Sequence, residues 1–288
     1  MELIRKKNQH RNLCWFVLTV FIFSAKLSFA LGDLIVTPTR VIFEGRDRSQ
    51  TINLVNRGNK TATYRIHFTE MAMDNFGDMT EIETPALGQH FASNMIRYSP
   101  RQAIIEPGGS QTIRLMIRKP KELPAGEYRS HLLMYAVPDA SQSNTTLESI
   151  AGLKPKEVGI KLNTIFRVAI PVIVREGESN TKFNFSNLNI KENKNENTLD
   201  LDLTLERDGN QSIYGDIDVV FTPTGKNTKY TVGKIKDFVV YVPNKKRSIS
   251  MSLHFPKKIT TLSGQLNLKF TNVNSEKPRI LATSLLKI

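Results

Sequence analysis

Leu199, Leu201, Leu203 and Leu205 alternate with polar residues, and this period of two recurs along almost the whole chain. Such alternation puts one set of side chains on a single face of an extended strand. Tyr64, Ile66 and Phe68 repeat it, as do Ile113, Leu115 and Ile117. In the later part Ile217, Val219 and Phe221, then Ile249, Met251, Leu253 and Phe255, continue the pattern. Turn residues separate the runs: Glu44-Gly45 after Leu34 to Phe43, then Asn56-Arg57-Gly58-Asn59, Glu106-Pro107-Gly108-Gly109 and Pro124-Ala125-Gly126. About seven short strands in each half, spaced by turns, predict an all-β chain of two tandem immunoglobulin-like β-sandwich domains. The polar stretch Arg175 to Asn180 divides them, giving residues 31–175 and 181–288. Residues 71–95 carry less signal and are predicted as a loop with a short helix near Gly88 to Ser93.

The N-terminus predicts export. Arg5, Lys6, Lys7 and Arg11 precede an apolar stretch from Leu13 to Ala25, and Ser28-Phe29-Ala30 offers the small residues of a cleavage site. The apolar stretch is short for a membrane span, and its flanks fit a signal peptide over residues 1–30. No later segment approaches spanning length, so the exported protein is expected to be soluble, without stable membrane insertion. The only cysteine, Cys14, lies in the segment to be removed. The remainder therefore has no disulfide, thiol nucleophile or thiolate metal site, and must be held by an ordinary apolar core.

Five Lys/Arg and one Glu fall within residues 1–30, so the remainder carries +9 of the chain's +13. A basic protein outside the cytoplasm has little access to nucleic acid, and no nucleic-acid motif or aromatic-interleaved basic patch is present. Lys245-Lys246-Arg247 and Lys257-Lys258 are read as solvated turns that guard strand edges.

The run from Val158 to Val174 has a different character. Val158, Ile160 and Leu162 alternate after a long polar loop, Asp139 to Glu157, and the run continues as Phe166-Arg167-Val168-Ala169-Ile170-Pro171-Val172-Ile173-Val174. By pattern alone the row suits a core strand of its own sandwich. That reading is the one the pattern favours; the alternative is a strand that completes the missing edge of another protein.

Several segments of the first half together resemble the periplasmic pilus chaperones of the PapD-like type. They are Val36-Thr37-Pro38-Thr39-Arg40-Val41-Ile42-Phe43, Thr51 to Asn56, Ser99-Pro100, Ile105-Glu106-Pro107-Gly108-Gly109-Ser110-Gln111-Thr112-Ile113-Arg114-Leu115 and Leu123 to Ser130. The resemblance implies a periplasmic chaperone that folds and caps pilus or fimbrial subunits by donor-strand complementation. It then delivers them to an outer-membrane usher, with no cofactor. Val158, Ile160 and Leu162 would fill the groove of the subunit, each contributing roughly 1.5–3 kcal/mol on burial. The family anchors the subunit's C-terminal carboxylate between an arginine and a lysine. Arg40 matches the arginine. Counting back from Pro171 puts Phe166 at the lysine position, whereas counting forward from Leu162 puts Arg167 there. Register to the docked strand favours Arg167, whose guanidinium suits a carboxylate. Conventional members also use an acid near Arg129 and an arginine before the proline in an interdomain ion network. Here Arg129 and Ile170 stand in those places, so the network is expected to be absent or rebuilt, as in a non-conventional branch. The Ser99-Pro100 bond falls where the family has a cis proline. The exposed strand also offers the free chaperone a route to self-association, which the sequence leaves open.

No catalytic motif appears. His67, His90, His131 and His254 lack metal-ligand spacing, and neither a nucleophile elbow nor a phosphate-binding glycine loop is present. Glu70, Asp74 and Asp78 are read as solvated loop acids rather than a calcium site. The chain is expected not to be an enzyme and to hold no metal. The rival reading is a secreted two-domain adhesin or fibre subunit, which predicts self-association or a surface location.

Overall fold

The computed structural model describes residues 34–137, 166–193, 198–257, 259, 262–272 and 278–288. In the first half the strands are β1 (Leu34–Thr37), β2 (Val41–Phe43), β3 (Ser49–Asn56), β4 (Ala62–Thr69), β5 (Met71–Met73) and β6 (Met79–Glu81). They continue with β7 (Ile96–Ser99), β8 (Gln102–Ile105), β9 (Ser110–Ile117), β10 (Gly126–Ala136) and β11 (Arg167–Glu176). The second half holds β12 (Lys182–Asn193), β13 (Thr198–Asp208), β14 (Ile213–Pro223), β15 (Tyr230–Val240), β16 (Lys246–Leu253), β17 (Gly264–Asn272) and β18 (Arg279–Lys287).

Alternation becomes layering. A sheet of order β1-β3-β9-β7 faces one of order β2-β11-β10-β4-β8, and their inward rows meet in a core that includes Phe43, Ile52, Leu54, Leu115, Leu132 and Met134. In the second half β12-β13-β16 faces β15-β14-β17-β18 around Leu201, Leu203, Leu205, Phe221, Phe238 and Phe270. The chain is all-β, built as two sandwiches in series. Tyr128, early in β10, donates its hydroxyl to the Pro124 carbonyl at 3.0 Å. That is the tyrosine-corner contact of immunoglobulin-type sandwiches. The predicted turn at Asn56 is held by its own side chain, whose amide donates to Lys60 O and Ile105 O and whose oxygen accepts from Gly58 N.

Two expectations need correction. Leu34 to Phe43 is two strands: the cis Thr37-Pro38 bond lies where the chain leaves one sheet, and β2 joins the other. The cis Ser99-Pro100 bond marks the same transfer between β7 and β8. Second, residues 71–81 form a hairpin, β5 against β6, and the only helical turn in 71–95 is a 3-10 turn at Ser93–Met95. Strands of three residues are too short to show a period. What closes the hairpin is Asp74, whose Oδ1 accepts from the backbone N–H groups of Phe76, Gly77 and Asp78 at 2.8–2.9 Å. These bonds hold the Asp74 carboxyl below its usual range. Asp74 is thus committed to the turn, and Glu70 is no solvated loop acid: it accepts from the Ser130 hydroxyl at 2.8 Å, and burial raises its pKa.

Candidate functional site

Side chains alternate along a strand, so the outer face of the β2-β11-β10-β4-β8 sheet can be read from register. Ile170, Val172 and Val174 of β11 point into the core. Arg167, Ala169, Pro171, Ile173 and Arg175 therefore lie on the opposite face. Opposite them on β10 stand Tyr135, Leu133, His131, Arg129 and Glu127, and β2 brings Ile42 beside Ile173. The second sandwich packs against the lower end of this face.

Glu127 is the centre of that junction. Its carboxylate, 3 % exposed, accepts from Arg175 Nε at 3.1 Å, from Ser212 N at 3.0 Å and from the Ser212 hydroxyl. Arg175 also donates to Glu44 at 2.6 Å and to the Ser212 carbonyl at 3.1 Å. One carboxylate and one guanidinium from the first sandwich thus grip a single residue of the second. These bonds form an ion network across the junction, in which the acid lies two residues before Arg129 and the arginine is the next-to-last residue of β11. Beside it an apolar plug of Met73, Ile173 and Tyr241 seals the joint.

The hairpin forms a second strut. Asn244 donates to Met73 O at 2.7 Å, Ser248 N to Asn75 O at 2.7 Å, and Arg247 Nε to Phe76 O at 3.3 Å. Arg247, expected in a solvated turn, is half-buried and lies over the Phe238 ring. Gly77 (φ 99°) makes this approach available, because a Cβ there would collide with the Arg247 guanidinium.

Arg129 is buried at 3 % exposure and faces the Tyr241 ring at 3.9 Å. One nitrogen donates to Met71 O at 3.2 Å, while Nε and Nη1 have no partner. Burial lowers its pKa, with Tyr241 and Glu127 opposing. A buried charge so weakly satisfied is costly, and an apolar residue of similar length is often neutral or better. Arg129→Met is expected to leave stability unchanged or raise it by about 1–4 kcal/mol in urea unfolding. A loss above about 1 kcal/mol would show that the Tyr241 contact outweighs desolvation.

Arg40 precedes β2 and sits level with Pro171 by register. Half-buried, its guanidinium lies over the ring of Tyr214, a residue of the second sandwich, 3.1 Å from the centroid. Burial is the largest influence lowering its pKa. Among the described residues it has neither a hydrogen bond nor an ion pair. An open cavity of about 680 Å³ is lined by Ile42, Arg175, Phe183, Ser212 and Tyr214 among others, but not by Arg40.

Arg167 opens β11, opposite Tyr135. It is exposed and 3.9 Å from Glu81. Four residues separate its level from that of Arg40, about 13 Å along the sheet. The two arginines share a face of the sheet but do not touch. Val158, Ile160 and Leu162 lie outside the described residues.

The upper part of β11 has a free side. β10 pairs with it from Arg167 to Glu176, but β2 pairs only with Val172–Val174. Among the described residues, no strand lies beside 167–171 on that side. Pro171, which lacks an N–H, stands where the free stretch ends. The even-numbered row also runs out of its own core here: Val172 and Ile170 are buried, Val168 is half-buried and Phe166 is 56 % exposed.

Among the described residues, no cluster of three or more His, Asp or Glu is placed to hold a metal, and no helix is long and apolar enough to cross a membrane. Sequence reasoning missed Glu127, Arg175, Ser212, Tyr214 and Tyr241. Only Arg175, ending an apolar strand at the domain break, carried any signal.

No family model and no curated protein sequence matches the chain. Among solved structures it is similar to a chain of a chaperone–tip adhesin complex of CFA/I fimbriae, with TM-score 0.43 and 14 % identity over 88 % of this chain and 98 % of that one. It is also similar to the YadV chaperone (TM-score 0.42, 15 % identity, 89 % and 100 % covered). The CupB2 chaperone of Pseudomonas aeruginosa gives TM-score 0.42 and 14 % identity, with 88 % and 100 % covered. Likeness at this level decides nothing about function.

Proposed function

We propose that the mature protein is a periplasmic chaperone that lends a strand to pilus or fimbrial subunits lacking one, and passes them to an outer-membrane usher. The observation that carries this reading is the free side of β11 at 167–171, where the core-facing row leaves its own core at an exposed Phe166. Continued backward in sequence, the same even-numbered positions hold Thr164 and then Leu162, Ile160 and Val158. A subunit with an open groove exposes unpaired backbone groups and core side chains, which is an aggregation hazard. A strand set against β11 satisfies the first, and the apolar row fills the second.

Arg40 and Arg167 lie on the outer face of the same sheet, and Arg40 lacks an acceptor. In this reading Arg40 holds the subunit's terminal carboxylate, and Arg167, about 13 Å farther along the sheet, reaches it by leaving Glu81 and swinging toward β2. A bidentate guanidinium–carboxylate contact gives register as well as affinity. No catalytic step is involved, and no cofactor or metal is required.

Affinity purification from the native periplasm, with wild type beside an Arg40→Ala, Arg167→Ala double variant, tests the proposal. A small β-rich partner is expected with wild type and is expected to be lost with the variant. The same proteins with both, or none with either, would sink the anchor and favour an adhesin or fibre subunit.

A further inference from the structure

We infer that Tyr214 is a positioning residue that holds Arg40 in the orientation a carboxylate needs; the inference rests on the strand-lending reading above. A free arginine side chain samples many rotamers, and fixing it on binding weakens the contact by that lost freedom. Here the fixing is done beforehand. The Arg40 guanidinium lies against the Tyr214 ring, so one π-face is occupied while the N–H groups, which lie in the plane, stay open. In-plane donors are the ones a carboxylate engages. Among the described residues none is hydrogen-bonded or ion-paired to them, and the Asp237 and Glu127 carboxylates attract the charge only from a distance.

The ring is itself held. Its hydroxyl bonds to Asp237, and the Asp237 N–H donates to Asp216 Oδ1 at 3.1 Å. Two residues upstream, Ser212 is locked to Glu127 and Arg175 of the first sandwich. Each sandwich thus supplies half of the receptor: the first brings the cation and the second its platform. The receptor is complete only when the two are docked as seen here. Lysine at position 40 would keep the charge but lose the planar stack.

The test uses the full mature chain with arginine side chains labelled for nitrogen NMR, the Arg40 signal being assigned by its loss in Arg40→Lys. Probes are N-acetylglycylglycine and its C-terminal amide. In wild type the Arg40 signal should carry a ring-current shift and move with the acid but not with the amide. Tyr214→Phe, which keeps the ring, should preserve the shift. Tyr214→Leu should abolish it and raise the acid concentration for half-saturation about tenfold. If wild type selects the acid and Tyr214→Leu binds it equally well, the positioning role is overturned while the carboxylate anchor stands. If the ring shift is present but acid and amide behave alike, the anchor falls and the positioning role with it. Absence of a ring shift in folded wild type would also overturn the inference.

Discussion

Replacing Glu127 by alanine is expected to cost about 3–5 kcal/mol, the usual consequence of removing one partner from a buried ion pair. Three bonds are lost together, two to Ser212 and one to Arg175. The Arg175 guanidinium keeps only Glu44 and the Ser212 carbonyl, and the Ser212 N–H is left without an acceptor in a closed joint. An unsatisfied buried donor carries its own desolvation cost, so the sum exceeds what a surface pair would give. Urea unfolding of wild type and Glu127→Ala measures the total. Limited proteolysis between β11 and β12, at 177–181, reports whether the joint opens. A loss below about 1 kcal/mol with unchanged cleavage would mean that the apolar plug of Met73, Ile173 and Tyr241 holds the joint alone.

Acid should weaken the fold through His131. The ring is 3 % exposed and stands at right angles to Tyr241. Burial, aided by the nearby Arg129 charge, lowers its pKa to about 3. In the unfolded chain the same imidazole takes a proton near pH 6.5. Between these values the unfolded state binds more protons, so stability falls on acidification by up to about 1.4 kcal/mol per pH unit. Above about pH 6.5 the contribution is fully present; below about pH 3 it is gone. Glu70 acts in the opposite sense, because burial raises its pKa and its protonated form is favoured in the fold. Comparing wild type with His131→Phe at about pH 7 and about pH 4 cancels the carboxylates common to both and leaves the histidine's share. Parallel losses in the two proteins would show that His131 does not titrate on unfolding.

Much of the fold was legible because its signal is local. Leu201, Leu203 and Leu205 are buried in β13, and Ile113, Leu115 and Ile117 in β9, as their spacing requires. Turns written in Gly, Pro and Asn fell where expected, Asn56 among them. The hairpin at 71–81 was not legible, since Met71-Ala72-Met73 is too short to show a period and its closure depends on one aspartate. Arg40 came from resemblance and was found half-buried and stacked, though what it stacks on was invisible. Tyr214 is far away in sequence and reads as an ordinary residue of an alternating strand. Glu127 and Arg129 look alike in the sequence, two charges on one strand, yet the first is triply bonded and the second nearly unpaired. That difference arises only when the second sandwich docks, and no local pattern encodes it.

Two of the transfers between sheets, β1 to β2 and β7 to β8, lie at the edges of the sandwich and have a mechanical consequence. A sandwich joined only by side-chain contact resists sliding of its layers weakly, because apolar contact has no direction. Here the β1–β2 and β7–β8 connections tie the edge strands of one layer to those of the other on both flanks. β2 pairs directly with β11, the strand whose upper side stands free. Traction applied to that strand passes through β2 into β1, and from there to β3 in the opposite layer. The first sandwich is therefore braced against a load placed on the free edge of β11.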